Sequence, residues 1–334
     1  MTYLILRFTS LGNVAMTVPV LASVSQRYPD NRFIVVASKR LSGMFHGYSN
    51  IRFHETDFQE GGLKDIIRLY NELKRYSIDA VIDLQDVLRT QILRKLYMWK
   101  HLPVYVIDYG RAEKHAMTLT GSDIKPLATE FERYKRTFHA AGLETDDSFT
   151  ALPVNREALS QIKQLYGIKT GKWIGIAPFA KYRSNMLSPH IIKEIIQHYS
   201  AYPDTRIYLF GAGEIECERL RQWAGIFPNV VSVAGLLPLE QELELMRQLD
   251  KMLCMDSANQ HLASLVGLRA VSIWCGTHPA MGFSGWKQHP EDCIQQDVPC
   301  RPCAIHGTNK CKYGNYICQQ IPAEKIYEQM EKQY

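Results

Sequence analysis

Short apolar runs alternate with amphipathic stretches along the first third of the chain. Residues 3–8 and 33–37 are apolar runs bounded by polar residues, a pattern typical of buried strands. Between them, residues 14–28 carry apolar side chains at helical spacing, and Pro29 follows. A strand, a helix and a second strand in this order predict a βαβ unit, in which a right-handed crossover joins two parallel strands.

The same alternation continues to residue 107, weakens between residues 142 and 172, and then resumes. It predicts an α/β chain of two Rossmann-like domains, each with a parallel sheet covered by helices on both faces. We expect the boundary near residue 150, which divides the chain into domains 1–150 and 151–334. The predicted segments after the boundary are strands at 173–177, 206–210, 230–233, 251–255 and 270–274, and helices at 189–199, 214–224, 239–249, 261–266 and 322–332.

Length, charge and hydropathy narrow the class of protein. A chain of 334 residues is longer than one hydrophobic core usually supports. The net charge of +5 is too small to indicate a nucleic-acid partner. No segment approaches the roughly 20 apolar residues that span a bilayer, and the first residues lack the features of a secretion signal. We therefore expect a cytoplasmic protein.

The strongest local signal for chemistry is the segment that follows the predicted strand 251–255. The apolar run ends at Asp256, small residues follow, and a helix is predicted to begin near His261. Free N–H groups at the start of a helix suit a diphosphate, and Ser257 and His261 could donate further hydrogen bonds to it. The alternative is that Asp256 and Ser257 only cap the helix.

Two other turns are weaker candidates. Gly211-Ala212-Gly213 ends a predicted strand, so Glu214 or Glu216 could accept the hydroxyls of a ribose, although ordinary turn chemistry explains the glycines equally well.

At the N-terminus, Arg7, Ser10, Gly12 and Asn13 lie at the turn from the first strand into the first helix. In an α/β domain this turn lies at the carboxyl edge of the sheet, where ligands bind. Helix capping by Asn13 is the alternative.

Basic residues and cysteines occur in separate clusters. Arg111 and Lys114 could contact a phosphorylated acceptor, but a solvated helix face is the more common cause of such a run. Near the C-terminus, four cysteines could hold one tetrahedral zinc ion. Disulfides and free thiols are the alternatives for these four residues, Cys300, Cys303, Cys311 and Cys318.

These segments together resemble glycosyltransferase family 9, whose best-known members are the ADP-heptose:lipopolysaccharide heptosyltransferases. The resemblance rests on residues 4–14, 176–180, 256–263 and 272–279. It implies a GT-B fold with two Rossmann-like domains facing a cleft, an inverting mechanism and no required metal or other cofactor. It also implies that residues 1–150 bind the acceptor and that residues 151–334 bind the nucleotide-sugar.

The resemblance implies a role for several residues. Asp256, Ser257, Ala258 and His261 would hold the donor diphosphate, with Ala258 where the family usually has glycine. Glu214 or Glu216 would bind the ribose of the donor. The acceptor would lie against the remaining set, which is Arg7, Ser10, Gly12, Asn13, Arg111 and Lys114.

Two positions depart from the family pattern. Asn13 replaces the aspartate expected as general base, and a neutral amide cannot take up a proton. Asn185 replaces a lysine expected to neutralise the leaving phosphate, and we count it among the candidate donor-binding residues. Lys181 and Arg183 are the nearest cations that could substitute, and we take Asn13, His261 and Lys181 as the candidate catalytic residues.

The sequence thus predicts transfer of a sugar, heptose from ADP-heptose, to a lipopolysaccharide core or related surface glycan. A peripheral contact with the inner face of the cytoplasmic membrane would bring the enzyme to a glycolipid acceptor. The alternative is a catalytically impaired relative that only binds the nucleotide-sugar, because Asn13 and Asn185 are neutral.

Overall fold

A computed structural model describes residues 1–56, 62–120 and 124–332. The chain forms two compact units: Met1–Tyr109 with Glu130–Pro153, and Gly110–Thr129 with Val154–Tyr334. The segment Gly110–Thr129 was expected in the domain 1–150, yet it groups with the second unit. Contacts with residues 280–282 explain this, because the Leu127 N–H donates to the Ala280 carbonyl at 2.8 Å.

Strands and helices alternate along nearly the whole chain. Up to residue 140 the elements are β1 Thr2–Leu6, α1 Leu11–Arg27, β2 Arg32–Ala37, β3 Ile51–Glu55, α2 Leu63–Leu73, β4 Ala80–Asp83, α3 Leu88–Met98, β5 Val104–Val106, α4 Arg111–Thr120 and α5 Glu130–Ala140. After it they are α6 Arg156–Tyr166, β6 Lys172–Ala177, α7 Pro189–Ser200, β7 Thr205–Leu209, α8 Glu214–Ala224, β8 Val230–Ser232, α9 Leu239–Gln248, β9 Lys251–Met255, α10 Ala258–Leu265, β10 Ala270–Trp274, β11 Cys293–Gln295 and α11 Ala323–Glu331.

The first unit is built on a five-stranded parallel sheet in the order β3-β2-β1-β4-β5. The central strand β1 is buried along its whole length, as the apolar run that follows Thr2 predicts. Its last residue, Leu6, lies opposite Asp83 at the end of β4. The turn after β1 therefore lies at the carboxyl edge of this sheet, as expected.

The second unit contains a six-stranded parallel sheet in the order β11-β10-β9-β6-β7-β8. Strand β9 is central and lies between β10 and β6. Because all six strands are parallel, the residues that follow β9, β10 and β11 meet at one edge of the sheet. The segment singled out from the sequence is the turn between β9 and α10, in the middle of that edge.

Several boundaries differ from the prediction. Helix α1 begins at Leu11, so Gly12 and Asn13 belong to its first turn and Ser10 is the N-cap residue. Asn13 therefore does not cap the helix. Helix α10 begins at Ala258, one turn before the predicted start. Strands β3 and β11 were not predicted, and α6 occupies part of the expected linker, where the Asn155 side chain accepts from the Ala158 N–H at 3.1 Å.

A search of the described residues for a helix both long and apolar enough to cross a membrane found none.

Candidate active site

At the turn from β9 into α10, two buried side-chain atoms have no hydrogen-bond partner among the described residues. Ser257 is the N-cap residue in extended conformation, but its side chain makes no capping hydrogen bond. Its Oγ is buried and has no partner among the described residues. Capping by the Ser257 hydroxyl, the alternative from the sequence, is therefore not observed. The first N–H groups of α10, beginning with that of Ala258, also point out of the helix start, as at any helix N-terminus.

His261 lies about one turn into α10, four residues after Ser257 in the sequence. It is 6% exposed, and its Nδ1 has no partner within the described part of the chain. Burial lowers the pKa of His261 to about 4, so the imidazole is neutral at pH 7. A neutral ring still offers one N–H as a hydrogen-bond donor.

The Asp256 carboxylate organises this turn through three side-chain donors. Oδ2 accepts from the Thr277 hydroxyl at 2.6 Å and from the Asn185 amide at 3.3 Å, while Oδ1 accepts from the Gln260 amide at 3.1 Å. Burial raises the pKa of Asp256 to about 6, and the bonds from Thr277 and Gln260 act in the opposite direction. The carboxylate therefore joins the ends of β9 and β10 to the start of α10.

Asn185 also connects Asp256 to the cysteine-containing C-terminal segment. Its Nδ2 donates to the His306 carbonyl at 3.1 Å as well as to Asp256. Gly307 has a φ of +107°, and a Cβ at this position would clash with the Asn185 side chain. The amide at the position where the family carries a lysine is therefore occupied by structural hydrogen bonds.

The neighbouring residues hold the same segment. The Ser184 N–H donates to the Thr308 carbonyl at 2.9 Å, and the Thr308 N–H donates to Ser184 Oγ at 2.8 Å. The Arg183 guanidinium lies over the Tyr316 ring, 4.6 Å from its centroid. Lys181 is exposed, with its ammonium 5.3 Å from the centroid of the adjacent Tyr182 ring. Of the two nearby cations, Lys181 is the one whose charge is not packed against the C-terminal segment.

The two glutamates proposed for ribose binding have different environments. Glu214 is exposed at the first position of α8, and Gly213 precedes it with a φ of +82°. Glu216 Oε2 accepts from the Ala212 N–H at 3.0 Å, and burial raises the pKa of Glu216. Glu216 therefore stabilises the glycine turn, and Glu214 keeps its carboxylate accessible to a ligand.

In the first unit, the predicted acceptor residues divide into buried and accessible groups. Arg7 is only 3% exposed; its Nη1 donates to the Leu84 carbonyl at 2.8 Å and to the Tyr109 hydroxyl. Gly12 is buried, Ser10 is exposed and Asn13 is half-buried. Ser10 and Asn13 thus remain open to a ligand, whereas the Arg7 guanidinium is packed into the interior.

Arg111 and Lys114 belong to α4 and hence to the second unit. Lys114 is 3% exposed, and its ammonium lies 4.4 Å from the centroid of the Phe283 ring. Arg111 is exposed. The structure therefore does not place these two residues in the same unit as Asn13, and the solvated helix face anticipated for this run does not describe Lys114.

All eight cysteines are free thiols, which excludes the disulfide alternative for the tail in this structure. The Cys303 thiol donates to the Cys300 carbonyl at 3.4 Å. Cys311 receives backbone hydrogen bonds from residues 313–316, and its pKa is lowered although burial acts in the opposite direction. In the described part of the chain, no three or more His, Cys, Asp or Glu side chains are grouped so that they could hold a metal ion.

Three residues of the site were not singled out from the sequence. Gln260 and Thr277 lie in segments on which the family resemblance rests. Their polar side chains next to apolar runs could have indicated that they belong to the site. His306 contributes a backbone carbonyl, for which a sequence holds no signal.

Comparisons with known proteins identify the family. A sequence model described as glycosyltransferase family 9 (heptosyltransferase) matches residues 66–314. The lipopolysaccharide core heptosyltransferase OpsX of Haemophilus influenzae is 27% identical over 89 residues, which cover 27% of this chain and 25% of that protein. The aligned part of this chain thus spans about a quarter of the length of that curated relative.

Solved structures show the same fold. A family 9 glycosyl transferase from Veillonella parvula is 15% identical, with a TM-score of 0.77 over 99% of this chain and 96% of its own. The E. coli heptosyltransferase WaaC with ADP is 17% identical, with a TM-score of 0.69 over 99% of both chains. These likenesses confirm the predicted α/β fold of the GT-B type with two Rossmann-like domains. The relatives are named as transferases, so they give no support to the catalytically impaired alternative. The chain belongs to glycosyltransferase family 9.

Proposed function

We propose that this protein is an inverting glycosyltransferase that moves a sugar from a nucleotide donor to a lipopolysaccharide core or related surface-glycan acceptor. The observation that carries the proposal is the start of α10, where the Ser257 hydroxyl and Nδ1 of the neutral His261 ring are buried without a partner among the described residues. The first backbone N–H groups of a helix also have no partner within the helix. A donor of the ADP-heptose type is favoured by the family and by relatives named as heptosyltransferases.

These groups suit a diphosphate leaving group. In the proposed reaction, the acceptor hydroxyl oxygen bonds to the anomeric carbon from the face opposite the diphosphate. The bond from that carbon to the phosphate oxygen breaks, and the nucleoside diphosphate leaves with the bonding electron pair. The proton of the hydroxyl passes to solvent water. Hydrogen bonds from Ser257, His261 and the backbone near Ala258 would stabilise the charge that develops on the phosphate. Lys181 would add a positive charge, so that the transfer needs no metal ion.

Asn13 would orient the acceptor hydroxyl, because its amide can hydrogen bond but cannot act as a base. The half-buried position of Asn13 in the first turn of α1 supports this role. Replacing Asn13 with aspartate tests it. A general base contributes about 10²–10⁴ in rate. Loss of transfer in Asn13→Asp would support a role of the amide itself, and a gain of that size would show that the native site lacks a needed base.

The proposed partners follow from the reaction. A nucleotide-sugar would bind the second unit, with Glu214 near the ribose, and a glycolipid would supply the acceptor sugar. We propose that transfer takes place in the cytoplasm, at the inner face of the cytoplasmic membrane.

A thermal-shift panel of ADP-, GDP-, UDP- and CMP-sugars tests the donor class. A ligand at about 100 times its dissociation constant stabilises the folded state by about 2.7 kcal/mol, and the proposal expects this effect from the ADP-sugar first. The matched variant is Ser257→Ala, which should reduce the thermal shift caused by the ligand. The stability of the unliganded variant should differ from that of the wild type by no more than the contribution of one buried hydroxyl. No shift with any of the four nucleotide-sugars would contradict the proposal.

A further inference from the structure

A polar cavity of about 600 Å³ lies within the second unit, at the edge of its sheet where β10 and β11 end. None of its lining residues belongs to the segment 256–261 that forms the proposed diphosphate site. The cavity is lined by Ile124, His278, Gln295, Gln296, Asp297, Val298, Arg301 and Lys325. Its volume is in the range of small-molecule binding sites.

Arg301 brings a buried positive charge to this cavity. The residue is 2% exposed; Nη1 donates to the Gln296 carbonyl at 2.7 Å and Nη2 to the Thr277 carbonyl at 2.5 Å. Its Nε has no hydrogen-bond partner, and no carboxylate of the described residues forms an ion pair with it. Asp297 in the same wall attracts this charge without forming an ion pair with it, so Asp297 and the two carbonyls compensate the buried guanidinium only in part.

The other polar groups of the wall also offer unused hydrogen-bonding capacity. Gln295 Oε1 is buried and has no partner among the described residues. His278 Nδ1 accepts from the Ala280 N–H at 3.1 Å, which leaves the ring proton on Nε2. Burial, followed by the charge of Arg301, lowers the pKa of His278 to about 4, so this ring is a neutral donor. Lys325 Nζ donates to the Gln295 carbonyl at 2.9 Å and retains two further N–H groups.

We propose that this cavity binds a small anion that also carries hydroxyl groups, namely a sugar with a carboxylate or a phosphate substituent. The wall contains two positive side chains, Arg301 and Lys325, and one negative side chain, Asp297. Its net charge of +1 favours an anion. The amides and the His278 N–H suit hydroxyl groups, which both donate and accept. The same chemistry serves a carboxylate and a phosphate, because each accepts charge-assisted hydrogen bonds.

The cavity adjoins the candidate active site through Thr277. Arg301 bonds the carbonyl of this residue, and the hydroxyl of the same residue bonds Asp256. An anionic sugar held here would therefore lie beside the end of β10, next to the residue that holds the β9–α10 turn. The binding proposal does not depend on the glycosyltransferase proposal.

Isothermal titration with three probes tests the proposal. Glucuronate and glucose 6-phosphate carry the two anionic groups, and glucose is the neutral control. We expect at least one of the anionic sugars to bind about tenfold or more tightly than glucose. Preference for glucuronate would identify a carboxylate ligand, and preference for glucose 6-phosphate a phosphate ligand. Equal affinity for all three sugars, or no binding of any, would overturn the proposal.

Two variants locate the binding. Gln295→Glu keeps the shape of the wall but adds a negative charge, so it should weaken binding of the anionic probe about tenfold or more. Lys325→Gln should weaken binding of the anionic probe several-fold. The control Lys163→Gln removes one positive charge from an exposed position on α6 and should have no effect on binding. Because neither wall variant is buried as deeply as Arg301, both are expected to fold.

A comparison with ADP separates this site from the diphosphate site. Ser257→Ala should leave binding of the anionic sugar unchanged, and Gln295→Glu should leave ADP affinity unchanged. If the anionic sugar binds but Gln295→Glu and Lys325→Gln leave its affinity unaltered, the ligand lies elsewhere and the proposal is wrong. Failure of ADP to bind would instead count against the proposed function alone.

Discussion

Replacing Thr277 with valine removes one hydroxyl from the hydrogen bonds that hold the Asp256 carboxylate. Thr277 is fully buried, and valine has nearly the same shape, so no cavity forms. The lost bond measures 2.6 Å and ends on a group that is charged at neutral pH. A hydrogen bond to a charged group contributes about 1.5–3 kcal/mol, so we expect Thr277→Val to lower the free energy of unfolding by about 2 kcal/mol at pH 8.

The size of this loss should depend on pH. The pKa of Asp256 is about 6 in the folded protein, raised chiefly by burial. The Thr277 hydroxyl stabilises the ionised carboxylate, so its removal raises this pKa further. The cost therefore grows as the pH rises through 6 and shrinks below it, where Asp256 is protonated in both proteins. At pH 5 the loss should fall to about 1 kcal/mol or less, the contribution of a hydrogen bond between neutral groups.

Urea denaturation followed by tryptophan fluorescence measures both values. Four of the five tryptophans, at positions 173, 223, 274 and 286, lie in the second unit, so the signal reports mainly its unfolding. Thr205→Val is the matched control, because Thr205 is 5% exposed in the same unit and is not bonded to a carboxylate. An equal loss at pH 5 and pH 8, or an equal loss in the control, would refute the argument that Thr277 stabilises an ionised Asp256.

Three further predictions concern the same unit. Gly307→Ala should lower the free energy of unfolding, measured by urea denaturation, by about 2 kcal/mol or more, because Gly307 has a positive φ and an added Cβ would clash with Asn185. In the control Gly225→Ala, where φ is −66°, the free energy of unfolding should hardly change. Burial lowers the pKa of His261 from its ordinary value of 6.5 to about 4 in the folded protein, so the unfolded state binds more protons between these pH values. From pH 4 to pH 7, the free energy of unfolding of the wild type should therefore rise by up to about 3 kcal/mol more than that of His261→Gln. Parallel pH profiles of the two unfolding free energies would contradict this. Treatment with a chelator should leave the unfolding midpoint unchanged, because hydrogen bonds to residues 183–185 hold the C-terminal segment. A large drop in the midpoint, together with zinc in elemental analysis of the untreated protein, would show instead that the four cysteines of this segment bind metal.

The elements that were predicted correctly are those with strong local patterns. After their first residues, Thr2 and Lys251, strands β1 and β9 are uninterrupted apolar runs, and both are buried strands in the middle of their sheets. Strands β3 and β11 are edge strands, and their sequences, Ile51–Glu55 and Cys293–Gln295, mix polar with apolar residues. These two edge strands contain no continuous apolar run, so the pattern that found the central strands could not find them. The edge strand β8 begins with two valines and was predicted.

The start of the candidate site was predictable, but its supporting contacts were not. A strand ending at Asp256 followed by small residues indicates a turn at the carboxyl edge of a sheet wherever it occurs. The bond from Asn185 to the His306 carbonyl joins residues 121 positions apart, and no periodicity or spacing records such a contact. The sequence thus showed that Asn185 replaces a lysine, and only the structure shows what the amide contacts.

Whether the predicted acceptor residues are buried or accessible likewise depends on contacts that the sequence does not show. Arg7 follows a buried strand, and the sequence places it at the correct edge of the sheet. Whether its guanidinium faces a ligand or the interior depends on Leu84 and Tyr109, which are distant in sequence. Lys114 likewise packs on Phe283 of the second unit, which the position of the predicted boundary could not reveal.

Titration of the protein with ADP in a calorimeter tests the central claim, that the β9–α10 turn binds the diphosphate of a nucleotide-sugar. Wild type should bind ADP, and His261→Ala should bind it about tenfold or more weakly, because the ring donor is lost. His190→Ala is the control, since His190 is exposed on α7 and pairs with the Ser188 hydroxyl at 2.7 Å. It should bind ADP as wild type does. Equal ADP affinity in all three proteins would contradict the claim.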